Sequence, residues 1–472
     1  MSLKKIYSFI NFTNIKASLV YVQKKHPKLL LTFKLLFVFG LFYGVCISRL
    51  DPDFGWHLRS GYYFRQFGIP THDIYTYTAR NFRWIDHEWG SDVMISYIYS
   101  FGGYITLAVF YATIWTLSLF VNNKSKNSLV LLLATLAMLP YAGIRPIAWT
   151  VLALSILMRL AASKNRYLRW LIPVLFFIWA NLHAGFIIGL LYLLYLAITK
   201  KKMYWFRVFV VSIIATFINA YGPSVYIEMA RTLFDPSLHS HITEWKSFFV
   251  KTPSILYIFF WAIGFAMYSK NKLINYIRFD TLLGLAAISA NRNIPLFVAG
   301  SINRTNEYVE KIYESFPKKI DPLGKKILVI FILSISVLVF YSLKDSYWPI
   351  AQRTADYPVQ GVNYLQKHAC KGNLFNNYND GGYIIWKLPN TPVFIDGRMP
   401  SWKDSGGHEY FDIYLSVIDN QSSQNKIFKE YNIQCVLVAK NDGFKRLINN
   451  LKDKGWKTAS RGNGDILLVS NQ

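Results

Sequence analysis

Residues 51–64 read DPDFGWHLRSGYYF, and they follow an apolar run, LLFVFGLFYGVCIS, at 35–48. If the run crosses a bilayer, two carboxylates, a histidine and an arginine stand at its mouth: Asp51, Asp53, His57 and Arg59. Ionisable groups at the end of a membrane helix are expensive to keep there, and they mark function by default. How this boundary is read decides the architecture of the rest.

The 472-residue chain is 53% hydrophobic and 17% aromatic, with a mean hydropathy of +0.22. Its apolar residues arrive in blocks of about 20, long enough to span hydrocarbon or nearly so. We therefore expect a polytopic α-helical membrane protein. Spans fall at 30–48, 104–121, 128–144, 147–162, 170–181, 184–199, 204–219, 254–269 and 327–343. The segment 280–302 reads as one helix or as a hairpin broken at NRNIP, and its basic flanks favour the hairpin. The total is about eleven spans, in register with basic loops held on the inner side.

Residues 1–28 carry Lys4, Lys5, Lys16, Lys24, Lys25 and Lys28 and read as an inner, uncleaved signal anchor. Residues 29–343 form the membrane domain, with a first outer loop at 49–103. Residues 344–472 differ in kind: strand-like VFID and CVLVAK alternate with helical FKRLINNLKDKG, which predicts an outer α/β domain. Cys46, Cys370 and Cys435 have no metal-ligand spacing, and Cys370 and Cys435 would pair if that domain lies outside.

The formal charge of +26 does not point to nucleic acid. Basic residues gather in short loops between the apolar blocks: Lys124 and Lys126; Lys164, Arg166 and Arg169; Lys200 to Lys202 and Arg207; Lys270 and Lys272; Lys318, Lys319, Lys325 and Lys326. Membrane topology and anionic lipid account for that pattern.

Acidic residues are scarcer and more informative. Of 26 Asp and Glu, none lies in 1–50 and none between Val93 and Ile227. The first outer loop holds Asp51, Asp53, Asp73, Asp86, Glu88 and Asp92, and Glu228, Asp235 and Glu244 are the next candidates. On an extended segment Asp51 and Asp53 would point to one side and chelate Mg or Mn, or divide base and metal duties between them. The competing reading makes Asp53 the N-cap of the following helix. His87-Glu88-Trp89 lacks the second histidine of a zinc helix. Glu88 and Asp92 would share one helix face, in the bland case a solvated one. Arg145 in GIRPIAW, Arg292 in NRNIP, His183 in WANLHAGF, and His239 and His241 near Glu244 all fall at expected outer ends. There they would meet a phosphate or a lipid headgroup.

Taken together, DPDFGWHLRSG, FGIPTHDIYTYTA, WIDHEW, WANLHAGFIIGL, INAYGP, ITEWKS and RNIPLF resemble the GT-C superfamily of membrane glycosyltransferases. In particular they look like a bacterial branch with a DPDxWWHLRxG-like first loop. Gly55 stands where that branch usually has an aromatic, and Ala220 where it has the proline of NPYG. YNDGGYIIWKLPNTPVFIDGR is distantly similar to the acceptor-recognition region of oligosaccharyltransferases, without its paired tryptophans.

The resemblance implies a sugar moved from a polyprenyl-phosphate-linked donor to a glycan, lipid or protein acceptor. Transfer would be inverting, on the non-cytoplasmic face of a bacterial inner membrane. It places Asp51 or Asp53 as the base and Glu88 as a second acid. From the residues themselves, His57, Arg59, Arg145, His183, His241, Glu244, Arg292, Asp396 and Arg398 are the candidate substrate-binding groups, with Asp396-Gly397-Arg398 reading equally as an ordinary strand-end turn with an ion pair. Two other classes share the composition: a non-catalytic envelope-assembly factor of the same fold, and a transporter for a lipid-linked glycan. A transporter should carry ionisable groups near the middle of its spans, and most spans here lack them.

Overall fold

A computed structural model of the chain describes residues 26–124, 127–235, 238, 242–246, 254–268, 277–315 and 357–471. Residues 1–25 of the basic N-terminal segment, the expected span at 327–343, and His239 and His241 lie outside the described residues.

The first part of the fold is helical. Helices α1 (Pro27–Ser48), α2 (Phe54–Phe67) and α3 (Trp89–Phe120) open it, and α4 (Ser128–Met138), α5 (Ile147–Ala161), α6 (Leu171–Leu182), α7 (Phe186–Lys200), α8 (Met203–Thr216) and α9 (Ser224–Leu233) follow. After α10 (Ser254–Tyr268), α11 (Phe279–Ser289) and α12 (Ile294–Ser315) meet at a 3₁₀ turn over Asn291–Asn293, so NRNIP does break the 280–302 segment. Among the described residues α1 and α3 alone are long and apolar enough to cross a membrane, and the other apolar helices run 10–17 residues. Turn-forming LPY, GIRP, HAG and YGP cut the apolar blocks short. Helix α3 bends where Gly102 and Gly103 leave helical geometry, dividing a polar first half from the apolar run that begins at Tyr104.

Inside, Phe42, Trp115, Phe176, Trp179, Phe186 and Phe297 belong to one buried cluster. Outside, Phe33, Leu36 and Phe37 of α1 and Leu282, Leu285 and Ile288 of α11 are exposed along helical stripes.

The C-terminal part contains α13 (Val359–Lys367), β1 (Asn373–Asn376), α14 (Gly381–Lys387), α15 (Tyr410–Asp419), α16 (Gln421–Glu430), β2 (Ile433–Ala439), α17 (Asp442–Asp453), β3 (Lys457–Arg461) and β4 (Asp465–Val469). The sheet order is β1-β2-β4-β3, with β1 parallel to β2 and the other pairs antiparallel. CVLVAK forms most of buried β2, and FKRLINNLKDKG forms α17. A disulfide joins Cys370 to Cys435.

VFID does not join this sheet. Val393 instead bridges to Thr76 of the first loop, and Thr78 Oγ1 donates to Phe394 O at 2.7 Å. The loop supplies the edge that VFID pairs with, so the segment docks the domain rather than extending its sheet. The apolar packing agrees. Trp56, Phe64 and Trp84 of the first loop are buried in the same cluster as Phe375, Phe394 and Trp402.

Helices α2 and α14 make the tightest part of this junction. A Cβ on Gly55 would lie 1.9 Å from the Gly382 carbonyl oxygen, and one on Gly382 would lie 2.1 Å from that of Pro52. Each glycine is needed because backbone meets backbone there. Gly382 therefore serves a contact between two parts of the protein. The same contact explains why no aromatic occupies position 55.

Candidate functional site

The first loop, the ends of the helical part and the C-terminal domain enclose a cavity of about 520 Å³. Its wall includes Asp51, Asp53, His57, Glu88, Arg145, His183, Glu244, Arg292 and Arg398, contributed by widely separated stretches of chain.

At its head the chain turns sharply between α1 and α2. Asp51 Oδ1 accepts the backbone N–H of Asp53 at 3.0 Å, a side-chain turn that starts α2. Asp53 holds the N-cap position, but its side chain makes no capping bond. Instead Asp53 Oδ1 accepts the indole N–H of Trp56 at 3.0 Å, and Oδ2 makes no hydrogen bond among the described residues. This reverses the capping reading: Asp51 shapes the turn and Asp53 is the acid left open. A Cβ on Gly397 would stand 1.9 Å from Asp53 Oδ1, so the carboxylate lies against bare backbone of the C-terminal domain. Burial, then the neighbouring Asp51 charge, pushes Asp53 up to about 7.

Arg145 reaches in from the loop between α4 and α5, where Trp115 Nε1 donates to Gly143 O at 3.0 Å. Its Nε lies 2.8 Å from Asp51 Oδ2 and its Nη1 2.6 Å from Glu244 Oε1. Burial disfavours charge on Glu244, but Arg145 outweighs it and holds that acid below the usual range. The two carboxylates of the D-x-D therefore do not converge. The turn is not extended, Asp51 faces Arg145, and Asp53 faces Trp56. Among the described residues no three His, Cys, Asp or Glu are grouped to hold a metal ion. This donor set does not fit a divalent cation.

Glu88 lies deeper. His183 Nε2 is 3.2 Å from Glu88 Oε1, and His57 Nε2 is 3.5 Å from Oε2. Gly185 N–H donates to His183 Nδ1 at 2.9 Å, and Thr150 Oγ1 lies 2.7 Å from the same nitrogen. Because Nδ1 accepts the Gly185 N–H it carries no proton in the neutral ring, so the ring proton sits on Nε2 and is donated to Glu88. His57 Nδ1 is 2.6 Å from Asp92 Oδ1. Burial keeps His57 and His183 neutral, and burial with Asp86 and Asp53 nearby raises Glu88 well above the carboxylate range. Asp92, for which a solvated helix face was the bland alternative, is wholly buried against His57. Its neighbour α2 covers that face.

Two further arginines reach the cavity. Arg398 is committed: it lies 2.8 Å from Asp73 and 2.6 Å from Asp396, with its guanidinium 4.5 Å from the Trp84 ring centroid. That cluster clamps the first loop to the C-terminal domain, and Asp396 lies beneath it, off the cavity wall. Arg292 stacks 4.4 Å over Trp245 and makes no hydrogen bond or ion pair among the described residues. Arg59 does not reach the cavity, and His241 lies outside the described residues.

Sequence reasoning missed the aromatic wall of Trp84, Tyr378, Trp402, Phe411 and Tyr414, as well as Asp86 and His87 as lining groups. WIDHEW flagged the last two by crowding an acid, a histidine and a second acid. Nothing in MPSWKD marked Trp402.

No protein-family profile matches this chain, and no curated protein does. Solved structures do. The archaeal oligosaccharyltransferase AglB from Archaeoglobus fulgidus, in complex with an inhibitory peptide and a dolichol-phosphate, superposes with a TM-score of 0.59 at 11% identity over 88% of this chain and 70% of that one. The apo form of the A. fulgidus enzyme gives 0.56 at 11% identity, over 86% of this chain and 69% of that one. The form tethered to an acceptor peptide with the NVT sequon gives 0.54 at 11% identity, over 89% and 70%. The chain therefore has a GT-C-like fold, a helical body carrying a small C-terminal sheet domain, similar to that of an oligosaccharyltransferase.

Proposed function

We propose that this chain is an integral membrane glycosyltransferase that moves a sugar from a polyprenyl-phosphate-linked donor to an acceptor hydroxyl or amide on the non-cytoplasmic face. The observation that carries the reading is the division of labour in the cavity. One acid, Asp53, is open and titrates near neutrality, and one arginine, Arg292, has no carboxylate partner among the described residues. Transfer from a phosphate donor needs a base on one side of the anomeric carbon and a cation on the other.

Asp53 takes the acceptor proton as the acceptor atom bonds to the anomeric carbon. The bond from that carbon to the phosphate oxygen breaks, the phosphate leaves towards Arg292, and the sugar inverts. Glu88 holds its proton close to the same cavity and can return one to the leaving side. Trp84, Trp402 and Phe411 offer faces on which a sugar ring stacks.

Membrane residence rests on α1 and α3 together with the apolar stripes exposed on α1 and α11, which water would not tolerate as contiguous patches. The Cys370–Cys435 disulfide supports an oxidising, outer location for the C-terminal domain. By this reading the membrane is the bacterial inner membrane.

The test is release of radiolabelled sugar from a polyprenyl-phosphate donor by the purified chain in detergent or nanodiscs. Release that disappears in Asp53→Asn supports transfer. A chain that binds the donor but never turns it over is the assembly factor instead.

A further inference from the structure

We propose that the Arg145 guanidinium takes the place of a divalent cation at the head of this cavity, bridging Asp51 and Glu244 as a fixed internal positive charge. The geometry carries it. Nε reaches Asp51 Oδ2 at 2.8 Å and Nη1 reaches Glu244 Oε1 at 2.6 Å, so two edges of one planar fork each bind a carboxylate from a distant part of the chain. A metal ion would perform the same service, joining two acids of like charge and setting their separation. Lysine, a point charge, would not hold both in fixed directions.

The surroundings favour the guanidinium over an ion. Asp51 Oδ1 is taken by the Asp53 N–H and Oδ2 by Arg145, and Asp53 Oδ1 is taken by Trp56. Arg145 itself is set by a loop whose Gly143 carbonyl is fixed by buried Trp115. A dication entering here would have to displace the guanidinium from the two carboxylates it already holds, or share them with it at close range to a like charge.

Arg145 acts through Asp51, whose turn orients Asp53, so it is a positioning residue and not a phosphate anchor. The consequence for transfer, which rests on the function proposed above, is that turnover needs no added divalent ion and survives chelation by EDTA. The site assignment itself does not depend on that function.

The test is Mn²⁺ binding to the purified full-length chain, followed by electron paramagnetic resonance, so no transfer assay is involved. Wild type should bind no Mn²⁺ at this site. Arg145→Ala leaves Asp51 and Glu244 facing each other across a gap and should gain a bound Mn²⁺ signal at concentrations where wild type shows none. Arg145→Ala/Asp51→Asn should lose that gain. Arg145→Lys keeps the charge and should exclude Mn²⁺, which separates loss of the cation from general disorder; Arg145→Gln serves if the alanine variant does not fold. Mn²⁺ bound by wild type and lost in Asp51→Asn would overturn the proposal. So would a folded Arg145→Ala or Arg145→Gln chain that binds no Mn²⁺. A wild type that binds no Mn²⁺ and transfers no sugar, with or without EDTA, would overturn the proposed function and leave the cation assignment standing.

Discussion

Asp51 accepts the backbone N–H of Asp53 through its own side chain, at 3.0 Å, and this one bond assigns different work to two acids separated by a single proline. Asp51 is held by its turn and by Arg145, while Asp53 turns its unbonded Oδ2 to the cavity. Asp53→Asn should therefore reduce transfer by about 10²–10⁴-fold, the usual contribution of a positioned base. Thermal unfolding of that variant should match wild type. Asp51→Asn should retain measurable turnover. Full activity in Asp53→Asn would remove it as the base.

The pH profile follows from the same pair. A base must be ionised to work, and Asp53 titrates at about 7, so kcat/KM should rise with pH and level off above that value. Burial and the Asp51 charge together raise it. Asp51→Asn removes the like charge, so the acidic limb of the profile should move to lower pH. A shift to higher pH would contradict the electrostatic account.

If the proposed transfer holds, Arg292 is the cation that meets the departing phosphate. Arg292→Ala should lower kcat by about 10²–10³-fold, as loss of one preorganised donor typically does. Arg292→Lys should recover part of it. Inhibition by free polyprenyl phosphate, read as the concentration for half inhibition, should weaken in step. Unchanged inhibition in Arg292→Ala would place the phosphate elsewhere.

The disulfide is open to a simple test. Cys370→Ser or Cys435→Ser should destabilise the chain by about 2–5 kcal/mol, as loss of a native bridge commonly does. The loss is measured by denaturant unfolding, with a mobility shift on non-reducing gels confirming the bond in wild type. No shift, with free thiols at both positions, would place the domain on the reducing side of the membrane.

Much of the candidate site can be read from DPDFGWHLRSG, WIDHEW, GIRPIAW, WANLHAGF and NRNIP, because polar groups beside apolar blocks need a reason to be there. Asp51, Asp53, His57, Glu88, Arg145, His183, Glu244 and Arg292 meet in one cavity. The partnerships could not be read in this way. Whether Asp53 capped its helix depended on a rotamer that Trp56 decides, and whether Arg398 met substrate depended on Asp73, which approaches only in three dimensions. The apolar blocks marked these helices and most of their ends to within a few residues, because a glycine or proline turn ends a helix at once; α3 alone starts far earlier than expected, at Trp89, since its first half is polar. VFID had the composition of a strand, and its partner turned out to lie in the first loop instead of the sheet.

The α2–α14 contact makes its own prediction. Glycine to alanine inside a helix normally stabilises by about 1 kcal/mol. At Gly382 the added methyl would meet the Pro52 carbonyl at 2.1 Å, so Gly382→Ala should instead destabilise, by about 1–3 kcal/mol. Unfolding in detergent gives the sign directly. An unchanged or raised midpoint would mean the two helices do not touch.

That contact has a wider meaning for the cavity. Position 55 acts as a shim between the body of the protein and its C-terminal domain, and here the shim has zero thickness. Any side chain at 55, such as the aromatic of the loop motif this sequence resembles, must lift the domain away and draw Gly397 back from Asp53. The depth of the cavity beside Asp53 is thus set by one residue that does not line it. Chains of this architecture can resize that cavity without altering a single group on its wall.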